Sequence, residues 1–121
     1  TIYTDFFENR GFRNAAVFGG DALMTIDKKT QGTTLTVTLS GRLDTNTSPQ
    51  LEAELRDSLD GITELVFDFG ELGYLSSAGL RVLLACQKTM NKQGSMVVRH
   101  INDTIREVFD ITGFSDILTV E

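Results

Sequence analysis

Residues 64–80 read ELVFDFGELGYLSSAGL, and the whole chain can be organised around them. Glu64–Phe69 is a short run apolar enough for a central strand. Gly70–Leu75 holds two glycines and reads as a loop. Ser77 then opens a helix that runs to Lys92 and ends near Gly94. At 100° per residue, Val82, Leu83, Cys86 and Met90 cluster on one side of it. Ser95–Arg99 (SMVVR) supplies the next strand. A strand, a helix and another strand in that order imply a βαβ crossover and parallel pairing.

Upstream, Leu35, Val37 and Leu39 alternate with Thr34, Thr36 and Thr38, the pattern of a half-buried strand over Thr34–Ser40. Met24–Lys29 precedes it across a turn at Gly32, so the two predict an antiparallel hairpin. Gly41-Arg42-Leu43-Asp44 leaves the sheet. Ser48-Pro49 opens a helix, with serine suited to the cap and proline to the first position. Leu51, Leu55 and Leu59 form its buried stripe, and Gly61 stops it. Downstream, Asn102 or Asp103 caps a third helix through Thr112 that buries Ile105, Val108 and Phe109. Ile117–Val120 has the length of a short closing strand. The expected fold is α/β, a single domain of order β-β-α-β-α-β-α(-β). Its mixed sheet has four to five strands with helices packed on it.

The domain is expected over residues 24–121, and residues 1–23 read as an extension of uncertain origin. The extension holds Tyr3, Phe6, Phe7, Phe12 and Phe18, half of the ten aromatics in the chain. It follows neither a strand nor a helix period and has no apolar run of signal-peptide length. Met24 is a candidate natural start.

Composition removes several function classes. The chain has 121 residues and a net charge of −6, which argues against nucleic acid as a partner. No apolar run is long enough for a membrane span. One cysteine, Cys86, and one histidine, His100, leave no multi-thiolate or histidine metal site, so no metal and no cofactor are expected. The cysteine usage fits a reducing cytoplasm. Cys86 falls inside the apolar arc of its helix and reads as a buried, inert thiol.

Enzyme signatures fail in turn, so no catalytic residue is assigned. The nucleophile elbow Gly-x-Ser-x-Gly would need glycine where Leu75 stands, and no phosphate-cradling glycine loop exists. Asp68 and Glu71 read as separate strand and loop carboxylates, and His100 as a loop residue beside a helix cap. A small serine hydrolase using Ser77 and His100 is the remote enzymatic alternative.

The chemistry concentrates at Tyr74–Leu80. Ser76 and Ser77 stand at a helix start, where free amides and the helix dipole favour a cap or a negative charge. A phosphate there would add about −1.5 to −2 charge. Arg81, Lys88 and Lys92 make a basic stripe, with Leu80 and Leu84 at its apolar edge. Ser76, Ser77, Leu80, Arg81, Leu84 and Lys88 are therefore the candidate partner-binding surface.

Leu39-Ser40-Gly41-Arg42-Leu43-Asp44, Leu65–Phe69, Tyr74–Leu80 and Ile111-Thr112-Gly113-Phe114 together resemble a STAS domain, closest to the free-standing bacterial anti-sigma factor antagonists. The resemblance implies a non-enzymatic switch in the cytoplasm. Such an antagonist binds an anti-sigma factor that is also a serine kinase, which frees a sigma factor. Phosphorylation of one serine at the start of the second helix ends the complex, and a phosphatase resets it. By this resemblance Ser77 takes the phosphorylated position, with Ser76 the alternative. Ser76 itself stands where the family usually has aspartate. A STAS module serving a nucleotide, lipid-transport or anion-transporter system is the alternative within the same family.

Overall fold

The computed structural model describes residues 13–18 and 22–121, with side chains from Met24 onward. Strands β1 (Arg13–Phe18), β2 (Ala22–Gln31), β3 (Thr34–Leu43), β4 (Glu64–Leu75) and β5 (Ser95–Arg99) form one sheet in the order β1-β2-β3-β4-β5. The first two joints are antiparallel and the last two parallel. Helices α1 (Ser48–Arg56) and α2 (Ser77–Gln93) cross between the parallel strands, and α3 (Asp103–Thr112) follows β5.

One face of the sheet carries the core. Leu35 and Val37 pair with Leu65 and Phe67, which pair in turn with Met96 and Val98. Leu51 and Leu55 of α1, Leu83 and Met90 of α2, and Ile105 and Phe109 of α3 join the same buried cluster. All three helices therefore pack on this face. β2 is tied to α1 through Lys28, whose ammonium lies 3.0 Å from the Glu54 carboxylate and donates to Ser58 Oγ at 3.1 Å.

The mixed sheet and its three helices agree with the expected order, with five differences. Gly70–Leu75 continues β4. Its residues fall behind the register of β3 twice, between Asp68 and Glu71 and again between Leu72 and Tyr74, so β4 absorbs its glycines as bulges. β3 likewise runs on through Gly41, Arg42 and Leu43. The cap of α1 is Thr47, one residue before the expected Ser48, and the helix ends at Arg56 rather than at Gly61. Leu59 is buried all the same, in the turn that leads to Gly61 and its positive φ of 78°. At the C-terminus the expected strand reduces to a single bridge between Val98 and Val120, after a 3-10 turn over Phe114–Asp116. The fifth strand lies instead at the other end of the chain, where Arg13–Phe18 pairs with β2. Of the N-terminal aromatics, Tyr3, Phe6, Phe7 and Phe12 fall outside the described residues.

Candidate functional site

Leu43 and Leu75 are paired across the last rung between β3 and β4. From this rung the two chains diverge into the starts of α1 and α2. The Ser76 amide donates to the Leu43 carbonyl at 2.9 Å, which anchors the turn into α2. Ser76 is the N-cap, in extended backbone, and its hydroxyl accepts the Gly79 N–H at 3.4 Å. Ser77 is the first helical residue and is exposed. Gly79 is buried because α2 sits hard against the rung. A Cβ there would come within 2.7 Å of Leu75 Cδ1 and 2.8 Å of Leu43 Cγ.

The α2 surface sorts the expected partner residues. Ser77, Arg81 and Lys88 are exposed along one stripe, Leu84 is half-buried beside them, and Ser76 is half-buried at its head. Among the described residues, neither Arg81 nor Lys88 joins an ion pair. Leu80 lies elsewhere: at 6% exposure it belongs to the core cluster, so it supports the surface from beneath. A groove of about 250 Å³ separates the helix starts, between Pro49 and Glu52 on one side and Ala78 and Arg81 on the other.

The neighbouring turn is built on Asp44. Its Oδ1 accepts the amides of Asn46 at 2.9 Å and Thr47 at 3.0 Å. Burial pushes the Asp44 carboxyl up, but those amides, the Arg42 guanidinium and the Thr47 hydroxyl together hold it below its ordinary value. Thr47 is fully buried, and its hydroxyl donates to the Arg42 carbonyl at 2.7 Å while accepting the Asp44 N–H at 2.9 Å. That hydroxyl makes no cap bond, and Ser48 Oγ donates to the Asp44 carbonyl at 2.6 Å. From the sequence alone Ser48 carries a role here as the expected helix cap, whereas Asp44 and Thr47 carry none. The Asp-x-x-Thr spacing was the available signal, because a short carboxylate followed by hydroxyls favours a closed turn.

His100 does not meet Ser77 in a catalytic pair. Its Nδ1 lies 3.0 Å from Asp68 Oδ1, which also accepts the Gly70 N–H at 2.9 Å. Burial pushes the Asp68 carboxyl up, and the His100 and Gly70 hydrogen bonds, with the charges of His100 and Arg99, outweigh it and leave the carboxyl lowered. His100 closes the turn after β5 with a positive φ of 62°. Cys86 is buried, and burial, aided by the Glu52 charge, pushes its thiol up to about 12. No group of three or more metal-ligating side chains occurs among the described residues, and no helix there is long and apolar enough to cross a membrane.

The fold is thus a mixed sheet with two crossover helices between its parallel strands, the second opened by Ser76 and Ser77. The profile of the STAS domain family matches residues 25–121, and the chain belongs to that family. Within it the chain falls among the anti-sigma factor antagonists, which are non-enzymatic regulators. It is 43% identical over 84 residues to BtrV of Bordetella bronchiseptica, a protein assigned to those antagonists, covering 68% of this chain and 72% of that one. The crystal structure of an anti-sigma factor antagonist from Mycobacterium paratuberculosis superposes with a TM-score of 0.76 at 23% identity, covering 85% of this chain and 89% of that one. The Bacillus cell fate determinant SpoIIAA in its phosphorylated form superposes with a TM-score of 0.64 at 19% identity, covering 79% and 90%.

Proposed function

We propose that this protein binds an anti-sigma factor that is also a serine kinase, frees a sigma factor by doing so, and is switched off by phosphorylation of Ser77. The observation that carries the assignment is the division of labour between the two serines. Ser76 is committed to the cap through Gly79, whereas Ser77 is exposed one residue on. A phosphate on Ser77 costs no cap and lies in the first turn, where amides and dipole tolerate the charge. The same charge opposes docking, because an interface formed over Ser77, Leu84 and the Arg81–Lys88 stripe would have to desolvate it. Binding is therefore lost without any change of fold. Ser76 stands where the family usually has aspartate, and its hydroxyl meets the capping requirement. A phosphatase returns the protein to its binding state, and the cycle runs in the cytoplasm.

The test uses the purified anti-sigma factor kinases of the source cell. Incubation with ATP should place phosphate on Ser77. Ser77→Asp should weaken binding about tenfold or more, and Ser77→Ala should bind yet resist inactivation. Leu84→Asp should weaken binding without unfolding the domain. Phosphate confined to Ser76, or a Ser77→Asp variant that binds as tightly as wild type, would overturn the assignment.

A further inference from the structure

Across the last rung from α2, two residues form a feature that the serine switch does not use. Between the Gly41–Leu72 and Arg42–Tyr74 pairs, β4 holds one residue more than β3, and that residue is Gly73. The bulge sets Tyr74 directly opposite Arg42. Both side chains turn away from the core, since the next pair, Leu43 and Leu75, points into it. The Arg42 guanidinium carbon sits 4.1 Å from the centroid of the Tyr74 ring. Its Nε lies 3.3 Å from Asp44 Oδ2. Asp44 is itself fixed by the Asn46 and Thr47 amides, so the arginine is held on two sides before any partner arrives. Even so, the Arg42 side chain is 53% exposed and Tyr74 is 39% exposed, one of three large hydrophobic residues exposed among those described.

The geometry points to the Arg42–Tyr74 stack as a second anchor for the anti-sigma factor, taking a carboxylate and a flat apolar group from it. This inference rests on the proposed function. Two features support it. The stack adjoins the serine turn through the backbone at the end of the sheet: the Leu43 carbonyl that receives the Ser76 amide belongs to the residue after Arg42, and Ser76 lies two residues beyond Tyr74. A pre-ordered tyrosine and arginine lose little conformational freedom on binding, and these residue types dominate binding hot spots.

The test titrates the purified anti-sigma factor kinase that phosphorylates this protein, with ADP replacing ATP so that no phosphate moves. Tyr74→Ala and Arg42→Ala should each weaken binding about tenfold, and the double variant little more than either, since each residue orders the other. Tyr74→Phe keeps the ring and should bind within about twofold of wild type. Melting curves accompany each variant. Folded Tyr74→Ala and Arg42→Ala proteins that bind like wild type, while Ser77→Asp binds weakly, would overturn the second anchor and leave the serine switch standing. Weak binding by the two stack variants with tight binding by Ser77→Asp would support the anchor and overturn the switch.

Discussion

Asp44 accepts hydrogen bonds from two amides and a guanidinium, with the Thr47 hydroxyl 3.3 Å from Oδ1, and its carboxyl is held low by these groups. A carboxyl depressed in the folded state contributes stability above its unfolded value and loses it as pH falls through the folded one. Asp44→Ala should therefore cost about 1–2 kcal/mol at neutral pH, because two backbone donors lose their acceptor. The difference from wild type should shrink in acid, as the pH falls below the ordinary aspartate range. Urea unfolding of both proteins at neutral and at acid pH checks this, and a gap that stays constant would show that Asp44 acts by shape alone. The role of Asp44 was only partly legible from the residues. Its position after a strand and before a serine-proline pair marks a turn, but its hydrogen-bond partners depend on how Thr47 is buried. The placement of Ser77 at the start of α2 was legible because helix starts have a strong local signature. Leu80 was not: helical projection put it at the edge of the apolar arc, and the close seat of α2 over Leu43 and Leu75 carried it inside.

At the scale of elements, the regular segments were readable and the irregular ones were not. Alternation in β3 and the helical stripe of α2 are local periodicities, and both elements fall where these predict. β4 loses its alternation after Phe69, because each bulge resets which face a residue meets, so six strand residues read as a loop. Glycine had a different meaning at each place. Gly32 sits in the hairpin turn with a φ of 64° and open space around its missing side chain. Gly94 has extended backbone, but a Cβ there would lie 1.9 Å from the Thr63 carbonyl oxygen. The end of α2 is pressed against the backbone that leads into β4, and no rotamer change relieves that contact. Gly94→Ala should cost about 3 kcal/mol through backbone displacement, whereas Gly32→Ala should cost about 1 kcal/mol through φ alone. Thermal melts of both variants rank the two effects, and an equal loss would mean that the Thr63 segment yields easily.

At the scale of the whole molecule, the question is how much of the sheet the domain needs. β1 is an edge strand that pairs only with β2 among the described residues, and it lies outside the family-matched residues 25–121. The described core cluster joins β2, β3, β4 and β5 to all three helices. Removing residues 1–23 deletes the β1 ladder and leaves β2 from Met24, the other three strands and the three helices with the packing described among them. The loss of edge hydrogen bonds is largely offset by the chain entropy regained, since each net bond is worth about 0.5–1.5 kcal/mol and each ordered residue costs about 1–2 kcal/mol. The new edge, β2, carries Lys28 and Lys29. Lys28 is held by Glu54 and Ser58, and Lys29 is exposed, the kind of charge that discourages strand addition by another molecule. We therefore expect residues 24–121 to fold cooperatively, with a midpoint a few degrees below that of the full chain. They should also elute in the same oligomeric state. Circular dichroism, thermal unfolding and size-exclusion chromatography of the two proteins test this together. A truncated protein without a cooperative transition would make β1 part of the folding unit. A folded one that self-associates would assign β1 the separate task of covering the β2 edge.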